Sequence, residues 1–326
     1  MTDRPGSRRV GTAVGLDGAR GLLAHRFDAP RNAGADLSPS AGSPVLLLNG
    51  GLMTVASWEP IASLLGERHP VLRCDFRGQL RTPGPAHREL APNADDLVAL
   101  LDALELERIH VLGTSFGGLV GLLLAARHPE RVASLVAVTV SDRTTLRMTE
   151  TTRGLRRVVA GILAGADGGG LLEAMVDDIY SASFRRENRQ MLAARSRQVS
   201  GLPPAWFESV DGILAAVEAF DLGAEAARIR CPTLVVVAAD DRVMPPERGR
   251  ALAAAIPGAR LAEHPVSGHT LVVEDPEWLA REALAFLDGL PAAASPQRDG
   301  AAPASGRAPA GTAPPRTLAA PAGKET

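Results

Sequence analysis

Ser115 is the residue around which chemistry can be built. It lies in Gly113-Thr114-Ser115-Phe116-Gly117, a G-x-S-x-G sequence. The apolar run Ile109 to Leu112 precedes it, and Leu119 to Ala126, nearly all apolar and made of good helix formers, follows. A serine at such a strand-to-helix turn is thrust out above a sheet on a strained backbone, which the flanking glycines allow. The turn also points backbone N–H groups at the place where an oxyanion would form.

A serine hydroxyl needs a base, and the base needs a group that orients it. Of seven histidines, His110 falls inside the predicted elbow strand, and His25, His69, His87 and His128 have no supporting pattern. His264 and His269 remain. His269 follows Gly268 in a loop between the last predicted strand and the final helix, from which it can reach back over Ser115. His264 ends a strand before Pro265, a more structural place. The orienting acid is sought at the end of another strand, earlier in the chain, where Asp240 and Asp241 both follow Leu234 to Ala238. The oxyanion donors are expected to be the N–H groups of Phe116 and Gly51, with Leu52 as the alternative to Gly51.

The elements that must position these groups alternate. Strands are predicted at 10–14, 22–27, 45–48, 71–74, 109–112, 133–140, 233–238 and 260–263, and helices near 57–66, after Asn93 as N-cap, at 119–126 and over 245–256. The last helix has Asp275 as N-cap and Pro276 in its first turn. Leu97, Leu100, Leu101 and Leu104 form one apolar stripe. This alternation predicts a mostly parallel sheet with helices on both faces. Residues 142–226 contain helical stretches without a convincing strand, broken at 168–170 and 201–204, and are read as a helical insertion at the strand C-terminal ends, where ligands bind. Residues 10–141 and 227–290 are the expected core. Residues 1–9 and 291–326, the latter mostly Ala, Pro, Gly and Ser, are expected to be disordered tails.

Composition excludes several classes. The 326 residues are 45% hydrophobic, enough for a full core, and the net charge of -2 suggests no nucleic-acid or membrane-surface partner. No H-x-H, H-E-x-x-H or cysteine cluster suggests a metal, no cofactor is implied, and Cys74 and Cys231 are expected as buried free thiols. Gly113 to Gly118 lacks dinucleotide-binding spacing. With no signal peptide or apolar run of membrane length, a cytoplasmic protein is expected.

The chain resembles capped α/β-hydrolase-fold proteins of the esterase and lactonase kind. The resemblance rests on Val45–Gly51 with Trp58, Asp75-Phe76-Arg77-Gly78, Gly113–Gly118 with His128-Pro129-Glu130-Arg131-Val132, Cys231-Pro232-Thr233-Leu234, and Gly268-His269. It implies an eight-stranded, mostly parallel sheet with a helical cap. Through the spacing Ala238-x-x-Asp241-x-x-x-Pro245 it implies Asp241, rather than Asp240, as the acid. This chain departs from the family in having Asn49 where His is common, Leu80 and Thr82 where Gly and Ser are common, and Phe116 for Met or Gln.

The expected reaction is hydrolysis of a small-to-medium, largely apolar ester or lactone, with Ser115 as nucleophile, His269 as base and Asp241 as its orienting acid. The cap is expected to line the pocket, with Met148, Met175, Tyr180, Phe184, Trp206 and Phe207 among its apolar and aromatic residues, together with Leu52 from the core. Other reactions on this scaffold, namely carbon–carbon bond hydrolysis, acyl transfer or cofactor-free perhydrolysis, remain open, as does a non-enzymatic ligand-binding role.

Overall fold

A computed structural model describes residues 13–15, 23–29 and 43–290. The expectations for the tails at 1–9 and 291–326, and for most of the loop at 28–43, lie outside these residues. The sheet has eight strands: β1 (Ala13–Gly15), β2 (His25–Asp28), β3 (Val45–Leu48), β4 (Val71–Cys74), β5 (Ile109–Thr114), β6 (Val132–Val138), β7 (Thr233–Ala238) and β8 (Arg260–His264). Their spatial order is β1-β2-β4-β3-β5-β6-β7-β8. β2 pairs antiparallel with both β1 and β4, and the remaining pairs, from β4–β3 to β7–β8, are parallel.

The strands from β3 inward are apolar on both faces, as burial between two helix layers requires. Leu46, Leu48, Val111, Leu135 and Val235 face a core shared with Leu97, Leu100 and Leu101 of α2 (Ala91–Ala103), with α3 (Phe116–Arg127), and with Leu252 of α9 (Pro246–Ala255). The alternate residues Val45, Leu47, Leu112, Val136 and Val236 face a second core. Trp58, Ile61 and Leu65, at and within α1 (Glu59–Leu65), fill it together with Leu279, Ala283 and Phe286 of α11 (Pro276–Asp288). Asp275 caps α11, accepting from the Trp278 N–H at 2.9 Å.

Several boundaries differ from expectation: β6 ends at Val138 rather than 140, because Thr139 leaves the extended backbone with φ 47°, and α3 starts at Phe116 rather than 119. α2 starts at Ala91, not after Asn93, because Pro92 fits a first helical turn; the Asn93 amide instead donates to Glu89 O. β2 starts at His25 rather than Leu22.

Five α-helices and a short 3-10 helix (Gly223–Arg228) lie between β6 and β7; the α-helices are α4 (Leu146–Leu163), α5 (Gly170–Ile179), α6 (Ala182–Glu187), α7 (Arg189–Ser200) and α8 (Pro204–Glu218). A short α10 (Leu271–Glu274) precedes α11. Pairing sets the site. Leu48 lies opposite Gly113, so the loop leaving β3 runs beside the turn leaving β5. Ala238 lies opposite His264, so the loops after β7 and β8 emerge together at the same sheet end.

Candidate active site

Ser115 occupies the turn between β5 and α3 with φ 52° and ψ -124°, a left-handed backbone costly for any residue but glycine. Its surroundings enforce it. The Ser115 N–H donates to Val138 O at 2.9 Å, and Ser115 O accepts from the Leu119 N–H at 2.9 Å. A Cβ on Gly113 would lie 2.5 Å from Gly117 O, and one on Gly117 2.3 Å from Leu48 O. Only glycine permits these approaches.

His269, in the loop after β8, places Nε2 2.8 Å from Ser115 Oγ. Its Nδ1 lies 3.1 and 2.9 Å from the two carboxylate oxygens of Asp241. A carboxylate at Nδ1 holds the proton there and leaves Nε2 free to accept from the serine. Asp241 Oδ1 is fixed by the Val243 and Met244 N–H groups at 2.9 and 2.8 Å. Both His269 and Asp241 are buried.

The rival residues are engaged elsewhere. The Asp240 carboxylate pairs with Arg242 at 3.2 Å, partly in solvent. His264 Nδ1 accepts from the Ser267 N–H at 3.0 Å, and its ring stands edge-on to Trp278. His110 meets Ser134 Oγ at 2.8 Å, and burial, aided by His69 and Arg108, lowers its pKa to about 4.

Phe116 opens α3, so its N–H has no intrahelical acceptor. Gly50, Gly51 and Leu52 border the same cavity as Ser115 and Phe116. Asn49, where the family commonly has His, donates to Asp75 Oδ1 at 2.9 Å and Gln79 Oε1 at 3.0 Å, and accepts from Trp58 Nε1 at 2.8 Å. Burial raises the Asp75 carboxyl, opposed by hydrogen bonds from the Val55 N–H and Asn49. Thr82 donates to Asp75 O and accepts from the Ala24 N–H, tying down the turn after β4. The Phe116 ring packs edge-on to Phe76 at 5.2 Å.

Over Ser115 and His269 lies a mainly apolar cavity. Leu52, Met148, Met175 and Tyr180 line it as expected. Trp206 and Phe207 do not. They pack against each other and against Val159, Leu171 and Val210 in the core of the insertion, which needs large side chains because its helices have no sheet to rest on. Phe184 stacks behind Tyr180. Residues missed from the sequence include Thr151, Thr152 and Leu155 of α4, Ile213 and Leu214 of α8, and the charged pair of lining residues Asp178 and Arg195. No motif marks them; which helix face meets the cavity is a tertiary fact. Among the described residues no group of His, Cys, Asp or Glu could hold a metal ion, and no helix is long and apolar enough to cross a membrane. Cys74 and Cys231 are buried and free.

A family profile described as alpha/beta hydrolase fold matches residues 43–276. The chain belongs to the α/β-hydrolase-fold family. Among curated relatives of this α/β hydrolase is the "Putative carbamate hydrolase RutD" of Caulobacter segnis, 34% identical over 260 residues, 77% of this chain and 94% of the relative. A protein of the same name from Pseudomonas syringae is 31% identical, covering 82% and 99%. Similar solved structures include a hydrolase from Pseudomonas aeruginosa (TM-score 0.70, 29% identity, 81% and 94% covered). An enol-lactonase from Burkholderia xenovorans superposes with a TM-score of 0.67 at 25% identity, covering 83% and 98%.

Proposed function

We propose that this protein is a serine hydrolase that cleaves a small-to-medium, largely apolar ester or lactone, with residues 142–226 acting as a cap over the site. The observation that carries this reading is the hydrogen-bonded chain from Ser115 through His269 to Asp241, opening into a mainly apolar cavity.

The geometry supports the following mechanism. His269 Nε2 takes the Ser115 proton as Oγ attacks the substrate carbonyl carbon. Asp241 stabilises the imidazolium that results. The carbonyl oxygen, now negative, is met by the N–H groups of Phe116 and Gly51. The tetrahedral intermediate collapses as His269 returns the proton to the leaving oxygen, giving an acyl-enzyme. Water, deprotonated by the same His269, then releases the acid and restores Ser115.

The names of the curated relatives favour a second reading, a carbamate substrate. A carbamate offers the same serine a carbonyl flanked by nitrogen and oxygen. Met148, Leu155, Met175, Ile213 and Leu214 in the cavity wall support an apolar acyl or alcohol group. Asp178 and Arg195 add one charge of each sign to the wall, so the lining favours no net substrate charge.

Incubation with a fluorophosphonate, followed by intact mass and peptide mapping, tests the serine chemistry. One adduct on Ser115, lost in His269→Ala, is expected. A folded protein that takes no adduct would refute the reading. A panel of p-nitrophenyl esters, lactones and aryl carbamates then separates the two substrate classes by kcat/KM.

A further inference from the structure

The loop leaving β3 is held from below by Gln79, a residue with no part in the proton relay. Gln79 is 1% exposed. Its amide has two donors and an oxygen with two acceptor sites, and all four are used. Nε2 donates to Gly50 O at 2.9 Å, sharing that oxygen with the Met53 N–H at 3.1 Å, and, more weakly, to Gly51 O at 3.4 Å. Oε1 accepts from the Phe76 N–H and from Asn49 Nδ2, both at 3.0 Å. The partners fix the orientation. Turned over, Oε1 would face two carbonyl oxygens and Nε2 would face two donors. Asn49 is locked in turn by Trp58 and Asp75, so the cluster is a rigid, fully buried support.

A trans peptide is planar, with its C=O and the next N–H on opposite edges. Drawing Gly50 O down onto Gln79 therefore turns the Gly51 N–H the other way. Gly50 and Gly51 border the cavity beside Ser115, and Gln79 does not. We infer that Gln79 is a positioning residue, which holds the Gly50–Gly51 peptide so that the Gly51 N–H faces the oxygen of the reacting carbonyl. The weaker bond to Gly51 O biases the next peptide, and the Leu52 N–H, in the same sense. This rests on the serine-hydrolase reading above.

Gln79→Glu and Gln79→Met test it. A carboxylate at this place sets an oxygen against two carbonyl oxygens and drives the peptide to turn over. Methionine only removes the donors. With p-nitrophenyl butyrate, Gln79→Glu is expected to lose roughly 100-fold in kcat at pH 8, the effect of losing one oxyanion donor, with KM within about twofold. The rate of fluorophosphonate labelling should fall in the same proportion, since phosphonylation builds charge on the same oxygen. Relative to the parent at each pH, Gln79→Glu should recover as pH falls from 8 to 6, because the protonated carboxyl again donates. Gln79→Met should lose kcat without that recovery. A purely structural role would move the melting temperature but neither the kcat-against-KM split nor the pH profile. Should Gln79→Glu fail to fold, the uncharged Gln79→Met, of similar length, carries the test. Failure of the parent to label removes the serine reading and this inference with it. A parent that labels, beside folded variants that keep its kcat and labelling rate, overturns the inference alone.

Discussion

Gly117→Ala is the sharpest probe of how the elbow and the loop after β3 depend on one another. The added Cβ would sit 2.3 Å from Leu48 O, 2.5 Å from Asn49 O and 2.5 Å from Leu48 C. All three are backbone atoms, so no rotamer change relieves the contact. The end of β3 must withdraw from 2.3 to at least 3.0 Å, and it carries the Asn49–Gly51 loop with it. Overpacking of this kind costs about 1–3 kcal/mol. For a domain of this size that is a fall in melting temperature of roughly 3–10 °C. The kinetic cost is larger in proportion. A displacement approaching 1 Å costs on the order of 100-fold when it separates a charge from its stabilising donor, so kcat should drop roughly 30- to 100-fold while the protein stays folded. Thermal unfolding, initial rates on p-nitrophenyl butyrate and the fluorophosphonate labelling rate measure both effects. Gly154→Ala and Gly161→Ala serve as controls. Both positions lie inside α4 with open space around them, and each change should stabilise by about 0.5–1 kcal/mol. A Gly117→Ala protein with the parent's melting temperature and kcat would refute the close approach on which the site geometry rests.

Asp241→Asn should reduce kcat by roughly 10⁴-fold, because an amide at His269 Nδ1 favours the wrong tautomer, whereas Asp240→Asn should stay within about twofold; equal effects would reassign the acid. Trp206→Ala should destabilise by about 3–5 kcal/mol, as expected for emptying a buried aromatic site, while Met175→Ala should chiefly widen acyl-chain preference, both read from urea melts and a chain-length series. His110 gives a pH prediction. Its folded pKa, about 4, lies below the ordinary histidine value, so below about pH 6.5 the unfolded chain binds a proton that the folded chain refuses. Its contribution is therefore constant above that pH and is lost as pH falls towards 4. The stability difference between parent and His110→Gln in urea should narrow or reverse across that range, and a constant difference would contradict the shift.

Much of this was legible in the sequence because its cause is local. The boundaries of β3 and β7 follow continuous apolar runs. Ser115 is marked because strand, glycines and apolar helix must adjoin for such a turn to form. His269 over His264 followed from loop position, and the structure brings His269 to Ser115 while His264 supports Trp278. Asp241 over Asp240 needed a family resemblance, since two adjacent aspartates after one strand carry the same local signal. Their different fates arise only once the Val243 and Met244 N–H groups turn back onto one of them.

Two features had no local signal at all. Trp206 and Phe207 are aromatic residues on a helix of the insertion, and composition cannot say whether such a face meets a ligand or the neighbouring helices. Gln79 is one polar residue in a turn, and its meaning depends on four partners contributed by segments up to 30 residues away. By itself the sequence determined the chain order of the sheet strands and their covering helices, the strand-to-helix turn that carries Ser115, and the loop that carries His269, because backbone periodicity and turn chemistry act over a few residues. Tertiary structure alone decided which side chains share a cavity and how the loop after β3 is oriented, because those depend on contacts between segments that the sheet, once formed, brings together.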